Sequence, residues 1–463
     1  MKKIQIVILA AGKSSRFKSS KHKALHDLLG KTIIERISES LINIKLKDYE
    51  FALHFVLGHQ KELLINELKN KNIKFSFSEQ IEQLGTAHAL QTALKDIPNC
   101  DGLLVLCVDT PLIKTKSLEN LILETINSNA ELAVLTTTLE NSFGYGRIIK
   151  DSNNNLKAII EEKDANTLEK QIQEINSGIY FFNFKTNKLL DKLNKIKNEN
   201  IQKEYYLTDI VKIFNQDNLK VITHKIIDSN EILGINSKKE LSLCIKILSQ
   251  NRIQELENEG VIFLSPESCL VSPETQIGQD TIVYQNNTFI GKNKIANNCE
   301  ILINNFIFDS EIGNNCKISS SYVSQSKIAN NCSIGPFANI RINTFLEEGV
   351  HIGDFVETKN VKIGKDSKAS HLSYLGDAEI GSQVNIGAGT ITANFNAISG
   401  EKHKTIINDG VKVGSNSVFV APVKVAKDCM IAAGTVVDEN VEQEASLIIS
   451  RNKQKIKENW IKK

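Results

Sequence analysis

At 463 residues the chain exceeds what one ordinary hydrophobic core organises, so two or three domains are expected. Apolar residues at 41% and charged residues at 24% describe a globular protein, and 56 basic against 54 acidic residues exclude the strong basic field of a nucleic-acid or membrane-surface binder. The eight cysteines form no C-x-x-C pair, which speaks against zinc ribbons, thioredoxin motifs and disulfide frameworks, and no stretch approaches the roughly 18 apolar residues of a membrane span.

The chain opens MKKIQIVILAAG, a basic start followed by an apolar run. This is either a secretory signal or a first strand leading into a loop. The apolar core is short and carries Gln5, which favours the strand. Further strand-like runs follow at FALHFVL, IKFSF, GLLVLCV and ELAVLTT. Between them, KTIIERISESLINI and GTAHALQTALKDI carry helical spacing. Such alternation predicts a mixed, mostly parallel sheet with helices on both faces, whose ligands bind beyond the carboxyl ends of the strands. LAAGKSSR directly follows the first strand, so Gly12 permits a tight turn and the backbone beyond it can cradle phosphate oxygens. Arg16 and Lys23 supply cations at a reach suited to a polyphosphate. Asp109, closing the run LLVLCV, offers a hard oxygen ligand for a divalent cation.

Residues 236–259 read as one long helix: Ser237 and Glu240 make a capping box, Leu241, Ile245 and Leu248 share a face, and Gly260 supplies the stop. The period then changes. IGQDTI, IGKNKI, IGNNCKI, IANNCSIG, IGDFVE, IGKDSK, IGSQVNIG, VGSNSVFV and VAKDCMIAAG repeat an aliphatic residue and a small one at steps of six. This is the hexapeptide signature of a triangular β-helix, in which the aliphatic residue points inward and a small residue permits the corner. Three cysteines close Asn-Asn-Cys triplets at Cys299, Cys316 and Cys332, which reads as one small buried slot reused by successive turns in preference to a metal cluster. The expected domains are residues 1–235, a linker helix at 236–260, and a β-helix with a tail at 261–463. A purely structural β-helix has little use for Arg341, Lys359, His371 and Tyr374.

Motifs along the whole chain carry a resemblance. LAAGKSSR, Lys23 in KHKALH, EQLGTAHA (82–89), VDTPL (108–112), GYGRI (144–148), EEKDA (161–165), EINSG (174–178), EYYLTD (204–209) and LGIN (233–236) occur in the order and spacing of sugar-nucleotide pyrophosphorylases. The second half resembles hexapeptide acyltransferases. Together the chain is similar to the GlmU family, which joins an N-acetylglucosamine-1-phosphate uridyltransferase to a glucosamine-1-phosphate N-acetyltransferase. The resemblance implies an α/β fold: a Rossmann-like nucleotidyltransferase domain, a linker helix and a left-handed parallel β-helix.

In the first half the resemblance implies that Leu9, Ala10, Ala11, Gly12, Gln80, Gly85 and Thr86 hold the uridine end. Lys23 neutralises the α-phosphate and Arg16 acts on the leaving pyrophosphate. Gly146, Glu161 and Asn176 hold N-acetylglucosamine, and Asp109 and Asn236 are the protein ligands of Mg²⁺. In the second half His371 is the expected base, since histidine titrates near working pH, with Glu357 a candidate to orient it. Arg341 and Lys359 suit the sugar 1-phosphate, Tyr374 and Asn385 its hydroxyls. Ala388, Asn394, Phe395, Ser415, Ala433 and Arg451 match acetyl-CoA positions, with a backbone N–H at Ala388 meeting the oxyanion. The substrates implied are glucosamine 1-phosphate, acetyl-CoA, UTP and N-acetylglucosamine 1-phosphate. The implied setting is a cytoplasmic homotrimer, without nucleic-acid or membrane partners, that supplies peptidoglycan and lipopolysaccharide precursors.

The sequence departs from the family pattern at several points. Ser14, Ser15 and Phe17 stand where the phosphate loop has Gly, Thr and Met; His22 replaces a proline; Cys107-Val108 replace Tyr-Gly; and Phe395 replaces a common tyrosine. Two rival readings remain at this level: a single-activity nucleotidyltransferase whose β-helix serves oligomerisation or regulation, and a non-catalytic scaffold whose first site is degenerate at Ser14 and Ser15.

Overall fold

The apolar run at the start of the chain forms strand β1 (Lys2–Ala10), in which every residue from Ile4 onward is buried. Continuous burial of this kind belongs to a strand covered on both faces. The computed structural model describes residues 1–12, 15–450, 454, 456–458 and 460, which group into two units, Met1–Ile245 and Lys246–Lys463. In the first unit β1 is followed by α1 (Ile33–Ile42), β2 (Tyr49–Leu57), α2 (Lys61–Asn70), β3 (Ser76–Glu79), α3 (Thr86–Asp96), β4 (Gly102–Cys107) and α4 (Thr115–Asn127). Then come β5 (Leu132–Thr138), β6 (Arg147–Lys150), β7 (Leu156–Ile160), β8 (Glu174–Phe182), α5 (Thr186–Leu193), α6 (Ile210–Gln216) and β9 (Val221–Lys225), and α7 (Lys238–Asn258) runs from the first unit into the second.

The sheet order is β3-β2-β1-β4-β8-β5-β9. β1 runs parallel to β2 on one side and to β4 on the other, while β8 is antiparallel to both β4 and β5. The sheet is therefore mixed, and the chain reverses its direction of travel between β1 and β4. A crevice opens at such a switch point, outside the strand ends. The run IKFSF enters the sheet only from Ser76, with Ile73 and Phe75 instead packing on the core from outside it. β8 escapes the strand reading because Asn176-Ser177-Gly178 looks like a turn; Gly178 has φ +77° and the register with β5 slips there.

α7 begins with the capping box. Ser237 Oγ accepts from Glu240 N at 3.3 Å, and Glu240 Oε2 accepts from the backbone N–H groups of Asn236 and Ser237 at 2.6 and 2.7 Å. The division between the two units falls inside this helix.

The second unit is a parallel β-helix of short strands, each pairing with the third strand before it, so three flat faces make one coil. One inward column runs Phe263, Val283, Ile301, Ile318, Ile334 and Ile352. These residues are all under 9% exposed, and such burial is the main stabilising term for stacked coils. The corners divide their labour in a way the repeat pattern does not announce. Left-handed backbone is carried chiefly by Asn, as at Asn286, Asn298, Asn304, Asn315 and Asn331, because its short polar side chain tolerates φ near +60°. The glycine after the aliphatic residue serves close approach instead: a Cβ on Gly364 would lie 2.5 Å from the carbonyl carbon of Gly381 in the next coil.

Cys299, Cys316 and Cys332 are buried in successive coils, and their thiols donate to Gly313, Ala329 and Glu347 carbonyls at 3.1–3.2 Å. All eight cysteines are free, and among the described residues no group of three or more His, Cys, Asp or Glu could hold a metal ion. Among the described residues no helix is long and apolar enough to cross a membrane.

Candidate active sites

The first site grows from the ends of β1 and β4. Val108 N–H donates to Leu9 O at 3.1 Å, which sets the turn after β1 beside the turn after β4. Between them opens a cleft of about 400 Å³. Of the residues expected to hold uridine, phosphates and metal, Leu9–Gly12, Arg16, Lys23, Gln80, Gly85, Thr86, Asp109 and Asn236 all line it. Gly85 precedes α3 with φ +117°, and a Cβ there would meet Tyr205 O at 2.5 Å, so no larger residue fits.

Asp109 and Asn236 are held as neighbours. Ile235 N–H donates to Asp109 O at 2.8 Å, and the Glu240 cap fixes Asn236 from the other side. Each offers an oxygen to the cleft, and each oxygen carries a cation: Lys23 Nζ lies 2.6 Å from Asp109 Oδ2, and Arg16 Nη2 donates to Asn236 Oδ1 at 3.1 Å. Lys23 stands on a short turn (Lys23–Leu25) capped by His22, whose Nδ1 accepts from Ala24 N. Burial and the adjacent Lys23 charge push the His22 pKa down to about 4, so this histidine stays neutral. Phe17 is buried against the His26 ring at 4.6 Å, giving the altered loop an apolar anchor, whereas Ser14 lies outside the described residues. The Cys107 thiol is pushed up to about 12 by burial and by Asp109, which makes it no nucleophile.

Gly146, Glu161 and Asn176 form a second cluster. Asn176 N–H donates to Gly146 O at 2.8 Å, and a Cβ on Gly146 would lie 3.6 Å from both Asn176 Cβ and Glu161 Oε2. Thr208 donates to Glu161 Oε1 at 3.2 Å, while burial raises the Glu161 pKa. None of the three lines the 400 Å³ cleft, and Glu161 lines a second cavity of about 530 Å³. The Cys107 thiol feels both Asp109 and Glu161, which ties the two clusters together.

The second site follows from strand register. Asp354 pairs with His371 across His351–Ile363 and Lys368–Ile380. Lys368 faces Asn385 and Tyr374 faces Ile391, so the rung after His371 belongs to Ala388. Asn385 faces Lys412 and Ile391 faces Val418, which continues the column to Ser415; Lys412 with Met430 and Val418 with Val436 continue it to Ala433. The expected base and three expected acetyl-CoA residues thus form one corner column, with Asp354 below them. On the face beyond the corner, Asn339, Glu357, Tyr374 and Ile391 stack outward, and Arg341, Lys359 and Gly376 stack two positions further on. Asn385 lies on the face before the corner.

His371 is exposed, and its imidazole has no side-chain hydrogen bond among the described residues. Glu357 is engaged by the Arg341 guanidinium and sits in register with Tyr374; the carboxylate in register with His371 is that of Asp354, which sequence reasoning passed over. Only the length of the coil reveals Asp354. Asn394 is buried and donates to the Tyr374 hydroxyl at 3.4 Å and to Asp377, whereas Phe395 is 59% exposed in a loop closed by its bridge to Lys402. Arg451 lies outside the described residues.

The MobA-like NTP transferase domain model matches residues 6–168. The curated proteins named "Bifunctional protein GlmU" match almost end to end. That of Thermosipho melanesiensis is 42% identical, over 99% of this chain and 97% of its own. That of Caldicellulosiruptor saccharolyticus is 40% identical over the same shares. The protein of Carboxydothermus hydrogenoformans is 39% identical over 98% of this chain and 99% of its own.

Proposed function

The chain belongs to the GlmU family, bifunctional transferases that acetylate glucosamine 1-phosphate and uridylylate N-acetylglucosamine 1-phosphate to make UDP-N-acetylglucosamine, and we propose that the strand-end cleft performs uridylyl transfer and the His371 corner acetyl transfer.

In the cleft, a phosphate oxygen of N-acetylglucosamine 1-phosphate attacks the α-phosphorus of UTP. The new oxygen–phosphorus bond forms as the bond to the β-phosphate's bridging oxygen breaks, and pyrophosphate leaves. Little covalent work falls to the protein, so positioning and charge stabilisation supply the acceleration. Gly12 and the residues before it, with Gln80, Gly85 and Thr86, hold the uridine end. Lys23 neutralises the α-phosphate, Arg16 meets the departing pyrophosphate, and Gly146, Glu161 and Asn176 hold the acetylated sugar.

The family and its domain imply a divalent metal, which we assign as Mg²⁺. Two hard oxygens lining one cleft, each already drawing a cation, suit such an ion, and Asp109 and Asn236 would hold it. Bound there, it supplies neutralisation of charge on the transferring phosphate.

At the corner, the amine of glucosamine 1-phosphate attacks the thioester carbon of acetyl-CoA while His371 takes its proton. The nitrogen–carbon bond forms, the Ala388 N–H receives the oxyanion, and the carbon–sulfur bond then breaks to release coenzyme A with a returned proton. Arg341 and Lys359 hold the sugar's phosphate, Tyr374 and Asn385 its hydroxyls. Asp354 takes the orienting role expected of Glu357, which instead positions Arg341. Ser415, Ala433, Asn394, Phe395 and Arg451 take coenzyme A.

We assign a cytoplasmic homotrimer that supplies peptidoglycan and lipopolysaccharide precursors. Beside His371 an exposed corner ladder of Phe337, Phe355 and Leu372 supports a subunit junction there, with the two rings stacked at 5.6 Å. The carrying observation is the column that places His371, Ala388, Ser415 and Ala433 on consecutive rungs. Its test is a pair of variants scored for both reactions: His371→Ala removes acetyl transfer and leaves uridylyl transfer intact, and Asp109→Ala does the converse. Loss of both activities from either folded variant would refute the division.

A further inference from the structure

Gln80 follows β3 at the cleft wall and is 4% exposed, with its backbone N–H bound to Leu57 O at 2.8 Å. Its carboxamide has two ends of opposite character, and the end turned toward a ligand decides what that ligand must offer. The Gly85 carbonyl settles the orientation: a carbonyl can only accept, so the group 3.3 Å from it is the Nε2 amino end. The same Nε2 lies 2.9 Å from His88 Nδ1, in the first turn of α3. An amide nitrogen cannot accept, so Nδ1 receives this bond and the neutral ring carries its proton on Nε2. Both partners of the amino end are groups of the protein, the Gly85 carbonyl and the His88 ring. Among the described residues no donor meets Oε1, which leaves it to the cleft that Gln80 lines.

We propose that His88 is a positioning residue that, by locking the Gln80 carboxamide with its oxygen toward the cleft, makes this site select a base presenting a ring N–H over one presenting a bare ring nitrogen. Uracil carries a hydrogen at N3 and cytosine a lone pair, so the carboxamide oxygen left to the cleft pairs with the first and repels the second. Discrimination of this kind is steep, because a buried acceptor left facing another acceptor loses its hydrogen bond and gains nothing. The inference rests on the reading of the cleft as a uridylyl transfer site.

The test compares UTP with CTP as nucleotide donors, by kcat/KM for pyrophosphate release with N-acetylglucosamine 1-phosphate. His88→Leu removes the acceptor and frees the amide to turn; the UTP-over-CTP ratio should fall about tenfold, the worth of one such hydrogen bond. His88→Asn restores an acceptor close to the position of Nδ1 and should keep the ratio within about twofold of the parent protein. Far-ultraviolet circular dichroism and cooperative urea unfolding of the same variants report that the first unit, which carries His88, is folded. An unchanged ratio in His88→Leu, a parallel fall for both nucleotides, or a His88→Asn ratio as low as that of His88→Leu would each overturn the proposal. Failure of the parent protein to use UTP would instead overturn the reading of the cleft.

Discussion

Replacing Lys23 with methionine should tighten the binding of a divalent cation to the nucleotide-free protein while abolishing uridylyl transfer. The ammonium lies 2.6 Å from Asp109 Oδ2, with the two side chains 14% and 18% exposed. A cation that takes Asp109 Oδ2 competes with Lys23 for it. A charge-assisted hydrogen bond of this kind contributes about 1.5–3 kcal/mol, the remainder of its Coulomb energy being offset by desolvation. Lys23→Met keeps the length of the side chain and removes that competitor, so the Kd for Mn²⁺ should fall by about tenfold or more. Titration of Mn²⁺ into substrate-free protein, followed by the loss of its free electron-spin-resonance signal, measures this directly. Adding Asp109→Asn to the variant should abolish the gain. In the parent protein a nucleotide should strengthen Mn²⁺ binding both through its own phosphate oxygens and by drawing Lys23 onto its α-phosphate, and in Lys23→Met the second part of that coupling should be lost. An unchanged or weaker Mn²⁺ affinity in Lys23→Met would refute the competition.

Other outcomes follow from single contacts. His371→Ala should lower acetyl transfer by about 10²–10⁴-fold, as removal of a positioned base does. Tyr374→Phe, which loses the hydroxyl 3.4 Å from Asn394, should raise KM for glucosamine 1-phosphate several-fold with kcat little changed. Gly364→Ala drives a Cβ to 2.5 Å from the next coil and should destabilise the second unit by about 1–3 kcal/mol in chemical denaturation. His54 is 1% exposed between the hydroxyls of Ser76 and Ser78, and burial holds its pKa down to about 4. Its neutral form is therefore the folded form, and stability present in full above about pH 6.5 should be lost by about 3 kcal/mol as pH falls toward 4. His54→Asn should flatten that slope in urea unfolding at stepped pH.

The first unit could be read closely wherever physics was local. An apolar run buried on both faces announces β1 and β4, and a Ser-x-x-Glu box announces the start of α7, whose cap then holds Asn236. β8 stayed hidden because its Asn-Ser-Gly centre suits a turn, although tertiary pairing with β4 and β5 overrides that preference. Lys23 and Asp109 were recognisable by residue type, yet the ion pair between them depends on two loops that sit 86 residues apart in the chain. His88 bears on Gln80 only because Gly85 brings α3 back across the end of β3, a turn whose φ of +117° no periodicity displays.

In the β-helix the relation is different, since period and placement are one quantity. An outward residue meets a partner one coil away, and the coil need not keep its length. The column on the polar face steps from Asn339 to Glu357, to Tyr374 and to Ile391, then jumps to Val418. The jump is the loop between Ile391–Ala393 and Thr405–Ile407, closed where His403 N–H donates to Asn394 O at 2.8 Å. Counting six-residue units places Ser415 a coil and a half from Ala388; removing that loop from the count places it on the next rung. The same arithmetic puts Asp354, and not Gly353, in register with His371: one coil here takes seventeen residues where the repeat unit gives eighteen, while Glu357 lies on the next face in register with Tyr374. A shortened coil turns its partners relative to an eighteen-residue count, and one residue of turn on a strand moves a side chain to the other face. Unlike residues meet on neighbouring rungs in eighteen- and seventeen-residue coils alike, as Asn339 with Glu357 and Asp354 with His371 do, so the partner of a site residue follows from the length of its own coil and not from the average repeat.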